Sequence, residues 1–299
     1  MNVKKHGTDA KLAFVIAHYH DEGRVPANLF NLVKHIRALT PAVVFVSTGL
    51  SSEEAARLSP YARVMVRENV GYDFWSYKLG IDELGNRSHL DRLVLLNSSF
   101  VTLDPRRLCE AFFTPLAGPA LRGITCCAEK GWHAQSYWVA FETNSLINSD
   151  KFSKWWSTLV PISKRSAVIE QQEVGMSAWF AAHGVAVKPA FVPSAEDLLV
   201  AVCRSVGNRL VKIEVPDETS SRVIVDLDTA RELNYTHFLW DSVLKHFHIL
   251  KIDLLKTNPT LQNIYQFLGG LSRTQPALFD LILDAVPSLR TSQIPHGTA

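Results

Sequence analysis

A turn rich in polar residues separates an apolar run, residues 62–66, from a helical pattern that begins near residue 72. The turn and the start of the helix carry two cations, an amide, a glycine and a carboxylate, at Arg67, Lys78, Asn69, Gly71 and Asp73. α/β proteins bind phosphate-bearing ligands where a strand ends in such residues before a helix. The glycine lets the backbone approach, the cations attract phosphate, and the amide and carboxylate recognise hydroxyl or base edges. These residue types predict a site for a phosphate-bearing ligand.

Each charged residue in this turn also has a structural alternative. Asp73 could only cap the helix that begins beside it, since acidic residues are favourable in a first turn. Arg67 and Lys78 could instead form surface ion pairs with Glu68 or Asp82. Helical spacing leaves the role of Lys78 open, because this residue lies about two turns beyond the glycine. We expect ligand contacts at Arg67, Asp73 and Lys78.

A second polar and aromatic cluster lies in the middle of the chain. Its candidates for a sugar or acceptor pocket are His133, Gln135, Ser136 and Tyr137. Amides, imidazoles and aromatic rings are groups that recognise the hydroxyl-rich faces of sugars. Trp132 and Trp138 flank the cluster and could stack on a sugar, although aromatic residues beside a strand belong more often to the core.

Strands and helices alternate through the first two thirds of the chain. Short apolar runs predict four strands, at residues 12–17, 43–46, 62–66 and 93–96. With helical patterns at residues 27–39 and 72–84, the alternation predicts an α/β fold with a mainly parallel central sheet flanked by helices. Ligands of such sheets sit beyond the carboxyl ends of the strands. Four polar strand ends should therefore meet at one edge: His18 with His20, Ser47 with Thr48, residues 67–73, and residues 97–99.

The remainder of the chain is less regular. Further strands are predicted at residues 123–127, 138–141 and 185–187, and helices at residues 151–159 and 173–183. The charged, partly strand-like pattern of residues 208–228 predicts an insertion or a hairpin. Two helical patterns, at residues 261–271 and 277–286, predict a helical C-terminal tail over residues 258–299, after a main domain over residues 1–257. The apolar stripes of this tail could dock on a membrane or an assembly partner, but such stripes pack more often on the parent domain.

Composition limits the classes of partner and the compartment. The chain has 299 residues and a formal charge of +2, and no Lys/Arg run is long enough to track a nucleic acid. The first residues are polar and resemble no signal peptide, and no apolar run is long enough to span a bilayer. The four cysteines lack zinc-site spacing, so we expect free thiols in a reducing cytoplasm.

The chain resembles the rhamnan synthesis F family of bacterial polysaccharide glycosyltransferases. The stretches that carry the resemblance follow the family's order, at residues 67–74, 78–80, 95–100, 133–137, 173–175, 234–240 and 251–259. The layout also looks like that of GT-A glycosyltransferases. The resemblance implies transfer of a hexose, often L-rhamnose, from a dTDP- or UDP-linked donor to a hydroxyl of a growing surface polysaccharide such as O-antigen. Its acceptor would be a lipid-linked glycan at the cytoplasmic face of the membrane, where the protein could attach peripherally.

The resemblance implies that the donor is held mainly by residues at the strand ends. These residues are His18, Thr48, Arg67, Asn69, Gly71, Asp73, Lys78, Asn97, Ser98, Ser99 and His237. In the GT-A layout a C-terminal histidine often lies beside the diphosphate, which would be the role of His237. A structural histidine that caps the helix of Trp240 is the alternative. His18, with His20, would flank the nucleotide base or the acceptor, and Thr48 would contact uracil or thymine.

Transfer to a hydroxyl also needs a base, and for an inverting transfer this is one carboxylate opposite the leaving group. Glu173 matches the family's Glu-x-Gly element and is the first candidate, and Glu170 is the second. The alternative is that Glu173 only complements the dipole of the helix that begins there.

The chain departs from the GT-A pattern at the end of the fourth strand. Many GT-A enzymes have Asp-x-Asp there, which holds a divalent metal on the diphosphate, whereas this chain has Asn97-Ser98-Ser99. Amides and hydroxyls are poor ligands for Mg²⁺ or Mn²⁺. We therefore expect a metal-independent enzyme without cofactor, in which Arg67, Lys78, His237 or helix-terminal amides stabilise the diphosphate. The sequence alone still leaves Mn²⁺ or Mg²⁺ open.

Two rival functions remain at this stage. The missing Asp-x-Asp favours a non-catalytic subunit that binds a sugar nucleotide or glycan, and a retaining transferase of another hexose is the third reading. Other enzyme classes have less support, because the chain has no Gly-x-Ser-x-Gly elbow, P-loop or dinucleotide-binding glycine motif.

Overall fold

The computed structural model describes residues 11–113, 116, 118–207 and 232–290. Its strands are β1 (Leu12–Tyr19), β2 (Val43–Thr48), β3 (Arg63–Arg67), β4 (Arg92–Asn97), β5 (Phe100–Thr102), β6 (Ala120–Gly123), β7 (Cys126–Cys127), β8 (His133–Ala134), β9 (Trp138–Glu142), β10 (Ala186–Pro189) and β11 (Ile249–Lys251). The insertion or hairpin predicted at residues 208–228 lies outside the described residues.

The helices between these strands are mostly short. They are α1 (Ala27–Leu39), α2 (Ser52–Leu58), α3 (Tyr72–Leu84), α4 (Pro105–Phe112), α5 (Asn144–Ile147), α6 (Asp150–Thr158), α7 (Arg165–Val168), α8 (Gly175–Ala182), α9 (Ala195–Gly207), α10 (Tyr235–Phe238), α11 (Trp240–Phe247), α12 (Ile252–Lys256), α13 (Ile264–Thr274) and α14 (Pro276–Ala285). A π-helix occupies Ile169–Val174 and a 3₁₀-helix Pro287–Arg290. The predicted bounds of α1 and α3 are confirmed.

A seven-stranded sheet forms the centre of the molecule, in the spatial order β10-β6-β9-β4-β1-β2-β3. β9 runs antiparallel to its neighbours β4 and β6, and the other neighbouring pairs are parallel. The inner strands are apolar because both faces of the sheet are covered; all of β1 is buried except its last residue. The predicted α/β fold, with a mainly parallel central sheet flanked by helices, is confirmed.

Side chains of the central strands alternate between two apolar layers. In β1, Phe14 and Ile16 pack into the layer that contains α1 and α4, and Val15 and Ala17 pack into the layer that contains α3, α6 and α8. α3 approaches the sheet closely at Gly80, where a Cβ atom would lie 2.2 Å from Val15 Cγ1. This close contact fixes α3, and the polar turn before it, against the middle of the sheet.

The strand predicted at residues 123–127 is wrong, because the chain changes partners within it. Gly123 ends β6, and the amide of Ile124 still donates to Trp138 O of β9 over 3.3 Å. Thr125 O instead accepts from the amide of Gln135 over 3.0 Å. β7 then pairs antiparallel with β8, outside the central sheet. This change of partner carries the predicted sugar-binding cluster toward the strand ends.

The helix predicted at residues 173–183 is wrong at its start. α7, the π-helix and α8 follow one another without a break from Arg165 to Ala182, so Glu173 lies inside a longer helical segment. The segment closes before Gly184, whose φ is +75°, as the sequence predicts. A π-helix has a different hydrogen-bond spacing from an α-helix and often marks a functional site. An apolar pattern with a period of 3.6 residues does not reveal it.

The C-terminal helices α13 and α14 pack on the rest of the chain. Ile264 and Ile282 share an apolar cluster with Val101, which follows β4 in the sequence. Asp284 Oδ1 pairs with Arg24 Nη1 over 2.9 Å and ties α14 to the start of α1. These contacts favour packing on the parent domain over the membrane alternative, while the boundary at residue 257 stays a prediction. Across the described ranges, no helix has the length and apolar content needed to cross a bilayer.

Candidate active site

A cleft of about 1040 Å³ opens at the carboxyl ends of β1, β2, β3 and β4. Most of the predicted site residues line it: His18, Thr48, Arg67, Asn69, Asp73, Asn97, Ser98, Ser99, His133, Gln135, Ser136, Tyr137, Glu173 and His237. They converge because parallel strands end at the same edge of a sheet. The predicted residues Gly71, Lys78 and Glu170 do not line the cleft.

A chain of hydrogen bonds crosses the floor of the cleft. Asn97 Nδ2 donates to Asp73 Oδ2 over 2.7 Å, and Asn97 Oδ1 accepts from Ser99 Oγ over 2.6 Å. Lys251 Nζ donates to the same Ser99 oxygen over 2.7 Å. The chain joins the first turn of α3 to the ends of β4 and β11. It therefore places a carboxylate and an ammonium group in one cleft.

Asp73 has a perturbed carboxyl group. Burial raises the pKa of Asp73 to about 6, against the hydrogen bond from Asn97 and the charges of Lys251 and Arg67, which lower it; the charge of Glu173 adds to the rise. The carboxyl therefore holds a proton at a higher pH than a surface aspartate does. Perturbed carboxylates in clefts are frequent at functional sites.

Arg67 holds the turn before α3 in shape. Its Nη1 donates to the carbonyl oxygens of Glu68 and Val70, and its Nη2 donates to the carbonyl oxygen of Tyr72 over 2.6 Å. Its Nε donates to Ser76 Oγ over 3.0 Å. A direct bond to phosphate would have to replace one of these contacts. The geometry therefore favours a role in arranging the turn.

Of the three predicted residues outside the cleft, two have structural roles and the third is exposed. Gly71 begins α3 with φ of 73°, and a Cβ atom there would lie 2.6 Å from Trp75 Cβ, so the turn requires glycine. Lys78 pairs with Asp82 over 3.0 Å, which is the structural alternative that the sequence left open. Glu170 is exposed on the π-helix.

Glu173 projects from the π-helix into the cleft. Its Oε1 accepts from the backbone amide of Ser136 over 2.6 Å. The other side of that loop is fixed as well, because the buried Tyr77 hydroxyl donates to Ser136 O over 2.8 Å. One carboxylate oxygen is thus held and the second is left to accept a proton. This is an arrangement that suits a general base.

His133 is buried beside the cleft in a defined tautomer. Its Nδ1 lies 2.8 Å from Gly131 O. Because a carbonyl oxygen only accepts, Nδ1 carries the proton and Nε2 is an acceptor when the ring is neutral. The neighbouring tryptophans do not line the cleft: Trp138 is core, and Trp132 donates its Nε1 proton to Val187 O over 3.1 Å.

Gln135 and Tyr137 form one network with Thr125. Thr125 Oγ1 donates to Gln135 Oε1 over 2.6 Å and lies 2.9 Å from the Tyr137 hydroxyl. Gln135 Nε2 donates to Asn234 Oδ1 over 3.3 Å. Burial raises the pKa of the Tyr137 phenol strongly, so this group is a neutral hydrogen-bonding partner. The network stiffens the wall opposite the strand ends.

His18 and Thr48 lie at the ends of β1 and β2, where His18 is in register with Ser47 and Thr48 with Tyr19, and both are almost fully buried. His18 Nδ1 lies 2.8 Å from Ser47 Oγ. Within the described part of the chain, Thr48 Oγ1 makes no hydrogen bond, and His18 Nε2 has none of normal geometry, although the backbone of Arg24 lies near enough to the ring to raise its pKa. Burial lowers the pKa of His18 to about 3, and His20 adds to this effect, so the ring is neutral near pH 7. Buried polar atoms normally have partners, and these two therefore suit a bound ligand.

His237 pairs with an acid rather than capping a helix. Its Nε2 lies 3.2 Å from Asp253 Oδ2 at the rim of the cleft. Burial alone would raise the pKa of Asp253, but the hydrogen bond from His237 and the charge of Lys251 lower it to about 2. The pair is a fixed polar wall on the C-terminal side of the cleft.

Several lining residues were missed by the sequence predictions, namely Lys251, Asp253, Asn234 and Arg165. The first three lie in stretches that carry the family resemblance, so their place in those stretches was a usable signal. Arg165 is exposed on α7 and stands in no such stretch.

The side chains at the end of β4 do not fit a divalent cation. The donors are one amide and two hydroxyls, and the nearby carboxylate of Asp73 already accepts from Asn97. The ammonium group of Lys251 lies 2.7 Å from Ser99 Oγ and would repel a metal ion there. Among the described residues, no three His, Cys, Asp or Glu side chains are close enough together to hold a metal ion.

Comparison with known proteins places the chain in a sequence family. The model of a family described as rhamnan synthesis protein F matches residues 43–200, more than half of the chain. Virulence protein VirA of Vibrio anguillarum is 28% identical over 202 residues, which cover 65% of this chain and 62% of that protein. An uncharacterized protein, y4gN, of Sinorhizobium fredii is 27% identical over 183 residues, which cover 58% of this chain and 46% of that protein. The chain thus spans less than two thirds of the length of these relatives.

Solved structures overlap with this fold only weakly. Glucosyl-3-phosphoglycerate synthase of Mycobacterium tuberculosis, in complex with UDP, has a TM-score of 0.36 at 13% identity, over 68% of this chain and 79% of that one. The glycosyltransferase GlyE of Streptococcus pneumoniae has a TM-score of 0.36 at 12% identity, over 93% and 80% of the two chains. Overlaps of this size assign no function.

Proposed function

The chain belongs to the rhamnan synthesis protein F family, and from that premise we propose that it is a glycosyltransferase of bacterial polysaccharide synthesis. It transfers a hexose from a nucleotide-diphosphate sugar to a hydroxyl of a growing surface glycan. The observation that carries this proposal is the single cleft in which His18, Thr48, Asp73, Asn97 and Glu173 meet. These residues supply the three functions that the transfer needs: donor binding, proton removal and charge compensation.

The nucleotide base of the donor binds at the ends of β1 and β2. The support is a pair of buried atoms that make no hydrogen bond of normal geometry to any described residue, His18 Nε2 and Thr48 Oγ1. A neutral imidazole and a hydroxyl can pair with the carbonyl and imide groups of uracil or thymine. This chemistry fits a UDP- or dTDP-linked donor.

The sugar and diphosphate of the donor lie over the start of α3. Backbone amides in the first turn of this 13-residue helix favour negative charge, and Tyr72 and Asp73 of that turn line the cleft. Asp73 and Asn97 bind sugar hydroxyls, and Arg67 keeps the turn in the required shape. L-Rhamnose is the hexose that we propose, because the family's name refers to rhamnan synthesis.

Glu173 is the base of an inverting transfer. Its carboxylate takes the proton of the acceptor hydroxyl while that oxygen bonds to the anomeric carbon. The bond from this carbon to the diphosphate breaks, and its electron pair leaves on the diphosphate oxygen. His133, Gln135, Ser136 and Tyr137 form the acceptor side, beside Glu173.

We also propose that the reaction is metal-independent. The support is the poor fit of the side-chain oxygen and nitrogen atoms at residues 97–99 to a divalent cation.

The acceptor in this proposal is a lipid-linked glycan on the cytoplasmic side of the membrane. The packing of α13 and α14 on the main domain gives the C-terminal tail a structural use without requiring membrane contact.

The test is transfer activity with a matched pair of glutamate variants. Wild-type protein is incubated with UDP- and dTDP-linked hexoses and a rhamnan-type acceptor, in EDTA and in Mn²⁺. Glu173→Gln should lower the rate by about 10²- to 10⁴-fold. Glu170→Gln removes the same charge from the same π-helix outside the cleft and should leave the rate within about twofold.

Three results of this test, with the anomeric configuration of the product determined by NMR, would contradict parts of the proposal. Equal loss in both glutamate variants would remove Glu173 as the base, and activity that requires Mn²⁺ would end the metal-independent mechanism. Retention of the anomeric configuration in the product would contradict the inverting mechanism.

A second candidate function rests on the absence of a carboxylate at residues 97–99. A subunit that binds a sugar nucleotide without turning it over would keep the base pocket and lose the metal motif. Nucleotide binding without transfer to any acceptor, unchanged by Glu173→Gln, would favour this candidate.

A further inference from the structure

A lysine from the C-terminal part of the chain stands at the floor of the cleft. Lys251 ends β11, which pairs antiparallel with β5 so that Lys251 lies opposite Phe100. The amide of Ile252 donates to Ser99 O over 3.0 Å and fixes this register at the end of β4. Lys251 Nζ donates to Ser99 Oγ and lies 4.5 Å from the centre of the Tyr137 ring. The ammonium group is therefore held in one place.

Among the residues that the structure describes, no direct ion pair neutralises the charge of Lys251. Burial lowers the pKa of Lys251, while the carboxylates of Asp253, Glu173 and Asp73 raise it without reversing that shift. None of these carboxylates is within ion-pairing distance of Nζ; over the described ranges the ion pairs all join other residues. An ammonium group that is partly buried, held in place and unpaired is set up for an anionic ligand.

The proposed mechanism needs a positive charge beside the departing diphosphate, and Lys251 lies where it is needed. Departure of the diphosphate builds negative charge next to the end of β4, where the side chains do not suit a metal ion. Lys251 places an ammonium group 2.7 Å from Ser99 Oγ at that same strand end. A preorganised cation at a site of developing charge is an effective way to stabilise a transition state.

We propose that Lys251 binds the diphosphate of the donor and stabilises it as the leaving group, in the place that a divalent metal has in other GT-A enzymes. As the bond between the anomeric carbon and the diphosphate oxygen breaks, the electron pair passes to that oxygen. Nζ donates a hydrogen bond to the diphosphate and keeps its proton. This inference rests on the proposed function, because it needs a nucleotide-diphosphate donor in the cleft.

A structural role for Lys251 makes a different prediction. If the lysine only ties β11 to Ser99, its loss should lower the stability of the protein without changing which nucleotides bind. If it binds the diphosphate, its loss should weaken nucleoside diphosphates and spare nucleoside monophosphates. The comparison of UDP with UMP, and of dTDP with dTMP, therefore separates the two roles.

The experiment measures the dissociation constants of these four nucleotides by calorimetry, in EDTA, for wild type and four variants. Lys251→Met and Lys251→Gln remove the charge, and glutamine keeps a donor for Ser99 if the methionine variant folds poorly. Lys251→Arg keeps the charge. Lys245→Met makes the same change in net charge at an exposed lysine of α11 outside the cleft.

We expect the neutral variants to bind UDP or dTDP about ten- to a hundredfold more weakly, with monophosphate affinity changed less than about threefold. The arginine variant should keep most of the preference for diphosphate, and Lys245→Met should match wild type. Undiminished diphosphate binding by a folded neutral variant would overturn the proposed role of Lys251 but leave the proposed function of the protein standing. Failure of the wild type to bind any of the four nucleotides would overturn the proposed function together with it.

Discussion

Charged side chains at the two ends of β4 differ in whether they are paired with an opposite charge. At its start, Arg92 Nε lies 2.5 Å from Glu142 Oε2, and Arg122 Nη1 lies 3.9 Å from the other oxygen of the same carboxylate. The two guanidinium groups also lie over the rings of Phe113 and Phe112, at 4.9 and 5.0 Å. At its end, by contrast, Asn97 leads to the unpaired ammonium of Lys251 and to the carboxyl of Asp73 with its raised pKa.

The difference shows which end the fold uses for stability and which for binding. The buried carboxylate of Glu142 is compensated twice from within the chain. Within the described part of the chain, Glu142 Oε1 makes no hydrogen bond but lies 3.9 Å from a guanidinium nitrogen, whereas buried atoms of the cleft such as His18 Nε2 have no such countercharge, and Lys251 is only partly compensated. Proteins violate the usual rules of polar satisfaction mainly at functional sites. Mutations at the start of β4 should therefore lower mainly stability, and mutations at its end should lower mainly ligand binding or activity.

Glu142→Gln should have the largest effect on stability. It removes the carboxylate that Arg92 and Arg122 share, and breaking a buried ion pair in this way costs about 3–5 kcal/mol. Urea denaturation measures the free energy of unfolding. The control is Glu110→Gln, whose exposed pair with Arg106 should contribute less than about 1 kcal/mol. Equal effects of the two substitutions would remove the distinction between the two ends.

Asp73→Asn should raise the free energy of unfolding, whereas Glu142→Gln lowers it. The pKa of Asp73 is about 6 in the fold and 3.8 in the reference state. The folded state therefore binds more protons between these values, and wild type loses stability as pH rises from about 4 to 6. Asparagine lacks this cost, so the variant should be more stable than wild type by about 1–2 kcal/mol at pH 7.

The pH dependence is the check on this prediction. The stability gain of Asp73→Asn should be small at pH 4 and full above pH 7, while sugar transfer falls because a donor contact is altered. Asp82→Asn, at a more exposed carboxylate of the same helix, is the control. A variant that is less stable than wild type at pH 7 would show that the charge of Asp73 is well compensated after all.

Two buried threonines provide the smallest and most sensitive test. Thr40 Oγ1 donates to Leu12 O over 2.7 Å and accepts from the amide of Ala42 over 3.1 Å, whereas Thr48 Oγ1 has no partner among the described residues. Thr40→Val should cost about 1–2 kcal/mol in free energy of unfolding. Thr48→Val should be neutral or stabilising by less than about 1 kcal/mol, and should weaken UDP or dTDP binding. A similar cost for both would mean that Thr48 is satisfied within the protein.

The sequence was sufficient for the parts of the fold that local patterns specify. The apolar runs of β1, β2 and β4 are buried on both faces, and the periodic patterns of α1 and α3 have the predicted bounds. The convergence of the four polar strand ends followed from the parallel topology. Each of these inferences needs only residues that are close together in the sequence, plus one general rule about where strands end.

The structure departs from the expectations of the sequence where the outcome depends on partners that the local pattern does not specify. Lys78 was predicted to contact the ligand, but Asp82 stands four residues further along the same helix and takes its charge. Arg67 was predicted to bind phosphate, but the turn that it belongs to supplies its acceptors. Lys251 was missed because it reaches Ser99 through the pairing of β11 with β5, far apart in the sequence.

The central claim is that the nucleotide sugar binds at the carboxyl ends of the strands and not at the opposite end of the sheet. Amide hydrogen exchange, read by mass spectrometry with and without saturating UDP or dTDP, tests this directly. We expect slower exchange at residues 47–49, 71–76, 97–99 and 169–174, and no change at residues 120–123 and 139–142. Unchanged exchange in all four cleft segments, or protection only at the buried Arg92–Glu142 end, would contradict it.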